Sequence, residues 1–228
     1  MGSRHTVPLF AIRRAQTARS DERDRAIAKH NRPRPRRLFA NLNSDAQTRM
    51  TSVFIGGSRA VSRLDSLVRD KLEDFITRQC TIFVGDANGG DKAIQHHLAS
   101  RRYERVTVYC MEHCRNNLGN WPTRYIAAPS ARAGFAYYAA KDLAMARDAK
   151  CGMMLWDGKS KGTLNNIQQL VNAGKKALVY LAPNGTFYKL STEQNLRDLL
   201  QHCDRSAIRQ AQHQIGTRLP AADLAASR

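Results

Sequence analysis

The sequence predicts an α/β protein of Rossmann-like, doubly wound type, built on a parallel sheet of about five strands. Two observations predict this fold class. From residue 51 onward, short apolar runs alternate with amphipathic stretches of helical periodicity. Glycine-rich turns follow three of the runs. Because strands joined by crossover helices pair in parallel, we expect a sheet that is covered on both faces.

The predicted elements follow one another without an internal repeat. Strands are predicted at residues 52–55, 81–84, 106–110, 152–156 and 177–181. Helices are predicted at residues 65–77, 91–102, 135–148 and 163–173. Residues 187–190 predict an added edge strand, and residues 192–203 predict a further helix capped by Ser191 or Thr192. The connection 111–134 is longer than usual and is a candidate binding loop.

Basic side chains are concentrated in the N-terminal part of the chain. The formal net charge is +18, and residues 1–50 hold 12 basic against 4 acidic side chains. The run 32–37 consists of arginine and proline, which prevents a helix and keeps like charges together. We predict a basic, flexible arm at 1–50, a Rossmann-like domain at 51–190 and a helical extension at 191–228. The arm is either a solvated tail or a segment that binds nucleic-acid phosphates.

The composition predicts a soluble, cytoplasmic protein. No run of about 18 apolar residues marks a membrane span. The five cysteines are an odd number, which suits reduced thiols. Cys110, His113 and Cys114 lack a second Cys/His pair at ligand spacing, so we expect no metal site. Nothing in the sequence calls for a cofactor.

Two of the three glycine-rich loops contain the residue types of a phosphate-binding turn. In a parallel sheet such loops meet at the carboxyl edge, where ligands bind. Residues 56–59 have two glycines with free amides, although a tight turn explains them equally well. Residues 157–166 put glycines, hydroxyls and two lysines ahead of a helix and form the best candidate for a phosphate cradle. This loop lacks the upstream glycine of a Walker loop.

The remaining loop, residues 85–91, joins glycines to two carboxylates ahead of a helix. We expect Asp91 to cap that helix and Asp86 to bind a sugar hydroxyl. The predicted ligand-binding residues of the three loops are Gly56, Gly57, Ser58, Arg59, Gly85, Asp86, Asn88, Gly89, Asp91, Asp157, Gly158, Lys159, Ser160, Lys161, Gly162, Thr163 and Asn166.

The three loops resemble those of the SLOG superfamily, which groups the DprA/SMF DNA-processing proteins with the LOG phosphoribohydrolases. The likeness rests on the Gly56-Gly57-Ser58 start, the 85–91 turn and the loop 156–163. It covers residues 51–190 and is closest to the YspA/cpYpsA-related branch. The resemblance implies a Rossmann-like fold that binds nucleotides or nucleotide-derived ligands, often as a sensor in bacterial conflict systems. We also expect a homo-oligomer.

The resemblance also bears on catalysis. Enzymes of that superfamily carry the motif Pro-Gly-Gly-x-Gly-Thr-x-x-Glu, whose glutamate acts on the ribose during N-glycosidic cleavage. When Gly162-Thr163 is aligned on its Gly-Thr pair, Asn166 replaces the glutamate. An amide is neither a carboxylate base nor a nucleophile. Binding is therefore favoured over catalysis, unless Asp157, the first choice, or Asp86 or Asp142 supplies the carboxylate.

Three functions remain open from the sequence. The leading one is a nucleotide-binding module. The second is an enzyme that cleaves or transfers the N-glycosidic bond of a nucleotide. The third is a DprA-like nucleic-acid-binding protein that uses the basic arm. Outside the loops, Phe135, Tyr137 and Tyr138 either stack on a base or pack in the core, and Arg115 either holds an anion or lies on the surface.

Overall fold

The computed structural model describes residues 51–127 and 134–215, which belong to one compact unit. The predicted arm at 1–50 and the end of the predicted extension, residues 216–228, lie outside the described residues. Among the helices described, none has the length and apolar character needed to cross a membrane.

One seven-stranded sheet forms the centre of the molecule, in the order β4-β3-β2-β1-β5-β6-β7. The strands are β1 (Ser52–Gly57), β2 (Thr81–Gly85), β3 (Val106–Cys110), β4 (Thr123–Tyr125), β5 (Cys151–Trp156), β6 (Ala177–Leu181) and β7 (Thr186–Leu190). Every neighbouring pair is parallel except β6 and β7. The predicted fold class is confirmed, with the short strand β4 inside the predicted long loop as an addition.

Six α-helices accompany the sheet within the described residues. They are α1 (Ser66–Thr77), α2 (Gly90–Ser100), α3 (Phe135–Asp148), α4 (Lys161–Asn172), α5 (Glu193–Leu200) and α6 (Arg205–Ile215). Asp65 caps α1 by accepting the Leu67 amide at 2.8 Å, and Thr192 caps α5 by accepting the Asn195 amide at 3.2 Å. Helix α6 stands in a stretch whose sequence pattern is too weak to predict it.

The central strands of the sheet, β1, β2, β3, β5 and β6, are largely buried because they are mostly apolar, whereas the edge strands β4 and β7 are more exposed. Phe54 and Met154 belong to the core under α3 and α4, which pack against each other and against β1, β2, β3, β5 and β6. Helix α2 packs on β1 and β2. Leu196 and Leu199 of α5 and Ile208 of α6 join the α3–α4 core, so the first two helices of the predicted extension are part of the domain.

The chain reverses its direction of travel across the sheet between β1 and β5. From β1 it runs through β2 and β3 to β4, and then returns to β5 on the other side of β1. Helix α2 begins close against the end of β1, since a Cβ on Gly90 would stand only 2.6 Å from Gly57 Cα. Only glycine permits this contact, and it draws the 85–91 turn onto the first loop. The carboxyl ends of β1 and β5 therefore form the switch point at which doubly wound folds bind ligands.

Candidate functional site

A cavity of about 710 Å³ opens at the switch point between β1 and β5. The predicted residues that line it are Gly56, Gly57, Arg59, Asp91, Asp157, Lys159, Ser160, Lys161, Gly162, Thr163 and Asn166. The predicted residues that do not line it are Ser58, Gly85, Asp86, Asn88, Gly89 and Gly158. The first and third loops thus meet at the cavity, whereas the second contributes mainly Asp91.

Asp157 organises the loop ahead of α4. Its Oδ1 accepts hydrogen bonds from the Ser58 hydroxyl at 3.1 Å, the Lys159 amide at 3.0 Å and the Ser160 amide at 2.8 Å. The buried Ser58 hydroxyl also lies 3.0 Å from Thr163 Oγ1. Ser58 is therefore a link between β1, β5 and α4 and does not line the cavity.

The N-terminus of α4 opens into the cavity. Its N-cap, Ser160, makes no side-chain capping bond, and no other described side chain accepts from the amides of Lys161, Gly162 or Thr163. Uncapped amides at a helix start attract anions, because they add hydrogen-bond donors to the positive end of the helix dipole. The side chains of Lys159 and Lys161 also line the cavity here.

Asp91 does not cap α2, and that prediction is wrong. The N-cap is Gly89, at φ 81°, and Asp91 lies in the first turn with only 6 % of its surface exposed. Its carboxylate accepts the Gly57 amide at 3.1 Å and the Ala87 amide at 3.3 Å. The close approach of β1 offers the Gly57 amide, and the 85–91 turn itself offers the Ala87 amide, in place of those of the helix. Burial raises the pKa of Asp91 to about 6, although Lys141 opposes the shift.

Asp86 is fully engaged within the protein, contrary to its predicted contact with a sugar hydroxyl. It is 1 % exposed and accepts three hydrogen bonds from Arg115, from the backbone amide at 3.1 Å, Nε at 3.1 Å and Nη2 at 2.6 Å. Burial favours the neutral acid, but the Arg115 bonds and the Lys141 charge outweigh it, so the pKa of Asp86 lies below its ordinary value. Asp86 therefore anchors Arg115, which lines the cavity.

Lys141 of α3 is a buried cation at the base of the cavity. Only 3 % of the residue is exposed, and its Nζ lies 2.7 Å from Asp142 Oδ1 and 3.9 Å from Asp86 Oδ1. Burial acts to lower its pKa, but Asp142, Asp91 and Asp86 together hold the pKa above the ordinary lysine value. Lys141 follows Tyr138 at a helical spacing of three, and this local pattern gives no sign of three acidic neighbours, two of them in the 85–91 turn.

Asn166 and Asp142 lie side by side near Lys141, at the floor of the cavity. Asn166 of α4 is 7 % exposed and donates through Nδ2 to Asp142 Oδ2 at 3.2 Å. This bond fixes the amide orientation, because the opposite one would set oxygen against oxygen. Asn166 Oδ1 is then buried and accepts no hydrogen bond from the described residues. Asn166 stands where the resembled motif has its glutamate, and the carboxylate of Asp142, on the facing helix α3, lies beside it.

Aromatic rings of α3 hold two cations at the mouth of the cavity. The Arg115 guanidinium lies 5.1 Å from the ring centroid of Tyr138, and Lys161 Nζ lies 5.0 Å from that of Phe135. Both rings line the cavity, as do the apolar side chains of Phe54 and Met145. The alternative of rings packed wholly in the core is therefore wrong for Tyr138, which is 37 % exposed.

Helix α6, the last one within the described residues, adds Ala207 and Gln210 to the wall of the cavity. Sequence reasoning missed both residues, since neither belongs to a recognisable motif. Among the side chains of α6 whose burial the structure describes, Ile208 is the buried apolar one, and it belongs to the α3–α4 core.

Cys110 and Cys114 form a disulfide at the end of β3, which corrects the expectation that all five thiols are reduced. One oxygen of Asp86 lies within 4.8 Å of both sulfur atoms. Asp86 is already bound by Arg115 and the sulfurs by each other, so this group lacks free ligand atoms. Cys80, Cys151 and Cys203 are free thiols.

The site thus combines uncapped amides, a basic mouth and an acceptor-rich floor at the switch point of a doubly wound sheet. Arg115 and Lys161 mark its mouth, and Asp142 and Asn166 mark its floor. Comparison with protein-family models and with curated proteins finds no match to this chain.

Proposed function

We propose that the cavity binds a nucleotide or a nucleotide-derived ligand, with its phosphate at the N-terminus of α4. One observation carries the proposal: the uncapped start of α4 opens at the switch point between two lysines, Lys159 and Lys161. Helix amides and flanking cations together recognise phosphate. Asp157 supports this assignment, because it holds the loop by its own hydrogen bonds and leaves the α4 amides free.

The floor of the cavity favours the sugar or base as the other end of the ligand. Asp142 and Asn166 both present acceptor oxygens, and Asn166 Oδ1 accepts no bond within the described residues. A buried acceptor without a donor costs about 1–3 kcal/mol, so a ligand hydroxyl or N–H that reaches it gains affinity. Ribose hydroxyls and base N–H groups are such donors, whereas a second phosphate is not.

The size and the lining of the cavity also suit a nucleotide. Its volume of about 710 Å³ lies within the range of small-molecule sites. Phe54, Met145 and the Tyr138 ring supply apolar and aromatic surface for the flat face of a base. A cavity for inorganic phosphate alone needs neither this volume nor this wall.

Thermal shift followed by calorimetry tests the proposal. The panel contains nucleoside 5′-monophosphates, the matching nucleosides, cyclic nucleotides and NAD derivatives. We expect at least one phosphorylated member to stabilise the protein, by about 2.7 kcal/mol at a hundred times its Kd, and the matching nucleoside to bind more weakly. In the double variant Lys159→Gln/Lys161→Gln, the phosphorylated ligand loses most of its advantage in affinity over the matching nucleoside. In the control Lys150→Gln/Lys176→Gln, which changes two exposed lysines, this advantage is retained. A panel without any stabilising member refutes the proposal.

A second candidate function, cleavage of an N-glycosidic bond, is favoured by the position of Asp142. Its Oδ2 lies 3.2 Å from Asn166 Nδ2, so a carboxylate stands beside the position of the missing glutamate. Asp157 is the weaker choice, because its Oδ1 accepts three hydrogen bonds that hold the loop. Incubation with nucleoside monophosphates is expected to release free base from the wild type and not from Asp142→Asn. No release by the wild type refutes this function and leaves ligand binding intact.

A further inference from the structure

A second groove, separate from the nucleotide cavity, lies beside the other face of the sheet. It runs between the loop ahead of α1, the first turn of α1 and the exposed side of α2, and its volume is about 570 Å³. Its lining contains the cations Arg63, Arg69 and Lys92 and the imidazoles of His96 and His97. We call it the basic groove.

The three cations of the basic groove have no acidic partner. Arg63, Arg69 and Lys92 are exposed, and no ion pair involves them among the described residues. Arg69 donates through Nη1 to the Leu64 carbonyl at 2.6 Å, which holds its guanidinium against the loop. No Asp or Glu lines the groove. By contrast, Arg101 at the end of α2 is paired with Glu73 of α1 at 3.0 Å.

We infer that the basic groove binds the sugar–phosphate backbone of a nucleic acid. Clustered, unpaired cations in a concave surface attract a polyanion and release its counterions on binding. No Phe, Tyr or Trp ring lines the groove, so the large aromatic platforms on which single-strand-binding proteins stack bases are not among its residues. Recognition through phosphates alone is independent of base sequence.

The lining argues for a nucleic acid over an acidic protein. Protein interfaces have an apolar core enriched in aromatic side chains. The groove contributes only Leu64, Ala93 and Leu118 to such a core. The cations also come from separate elements, the loop, α1 and α2, as an extended chain of phosphates requires. The inference is independent of the proposed function, because none of these residues lines the nucleotide cavity.

Fluorescence anisotropy on the full-length protein tests the inference. The probes are a fluorescein-labelled DNA duplex of about 20 base pairs and a single strand of the same length. The groove variant is Arg63→Gln/Arg69→Gln/Lys92→Gln. The control variant, Lys150→Gln/Lys176→Gln/Lys189→Gln, removes three exposed cations beside or in β5, β6 and β7 that do not line the groove, so both variants have the same net charge. Thermal melting verifies that both are folded.

We expect the groove variant to bind at least one probe about tenfold more weakly or worse at about 100 mM salt, and the control to stay within about twofold of the wild type. The slope of log K against log salt falls in magnitude by about 2–3 for the duplex in the groove variant. The single variants Arg63→Gln and Lys92→Gln are each expected to lose less affinity than the triple variant. They replace the triple variant in the test if it is unstable.

Four outcomes overturn the inference. The first is that the wild type binds neither probe. The second is that the groove variant binds as tightly as the wild type, which assigns binding to another part of the chain. The two triple variants lose affinity equally, which assigns it to net charge. Labelled poly-L-glutamate binds as tightly as the DNA probes and loses the same affinity in the groove variant, which favours an acidic polypeptide.

Discussion

The Ser58 hydroxyl donates a hydrogen bond of 3.1 Å to Asp157 Oδ1 and joins the ends of β1 and β5 at the switch point. The same oxygen accepts two backbone amides of the loop ahead of α4. One carboxylate oxygen therefore holds the first and third loops in register.

Replacement of Asp157 separates its structural role from a chemical one. Asp157→Ala is expected to lower the free energy of unfolding by about 2 kcal/mol, because hydrogen bonds to an ionised group are lost. Asp157→Asn costs less, since the amide oxygen still accepts the loop amides. Urea unfolding measures both variants. Equal stability of the alanine variant and the wild type contradicts the role of Asp157 in holding the loop.

The contact between β1 and α2 predicts a strong effect at one glycine. A Cβ on Gly90 would stand 2.6 Å from Gly57 Cα, and neither backbone can yield without moving an element. Gly90→Ala is expected to destabilise the protein by about 1–3 kcal/mol. Gly162→Ala is the matched control, because nothing lies within 4 Å of its Cβ position and alanine favours the helix. Equal unfolding free energies for the two variants contradict the tight contact.

Removal of the buried cation leaves Asp91 and Asp142 without a cationic partner, whereas Asp86 keeps Arg115. Lys141→Met is expected to cost about 3–5 kcal/mol near pH 8, because two uncompensated carboxylates then lie beside Asp86 in the interior. The cost is smaller near pH 5, where Asp91 holds its proton. Lys150→Met, at an exposed lysine, is the control. A Lys141→Met variant that is as stable as the control at pH 8 refutes the role assigned to Lys141.

The raised pKa of Asp91 predicts a pH dependence with a definite sign. Asp91 holds its proton up to about pH 6 in the folded protein, whereas the unfolded chain releases it near the ordinary value of 3.8. Unfolding therefore releases this proton between those values, and the free energy of unfolding falls as pH rises through that window, by about 3 kcal/mol in all. Urea unfolding of Asp91→Asn across the window is expected to have a shallower slope, while the exposed Asp70→Asn keeps that of the wild type. The same slope in all three proteins rules out Asp91 as its source.

The alternation of apolar runs and glycine-rich turns was sufficient to predict the fold class and the meeting of the first and third loops. The roles of Asp91 and Asp86 were not predictable from local sequence. Asp91 stands where a capping residue often stands, but its partner is the Gly57 amide, 34 residues away. Asp86 is bound by Arg115, 29 residues away. Both contacts depend on how two loops lie in space.

The floor of the cavity illustrates the same limit. Asn166 was identified from its place after Gly162-Thr163, which is a local relationship. Its partner Asp142 stands on the facing helix, and two of the three acidic groups around Lys141 belong to the distant 85–91 turn. Helix α6 was not predicted because its pattern is weak, and its Gln210 reaches the cavity only through tertiary packing.

The most direct test of the central claim is a crystal structure of the protein soaked with the tightest-binding nucleoside monophosphate. We expect the phosphate oxygens within hydrogen-bond distance of the backbone amides of Gly162 and Thr163, and a ribose or base donor at Asn166 Oδ1. Electron density for the phosphate at any other position, or an empty cavity in crystals at saturating ligand, contradicts the claim.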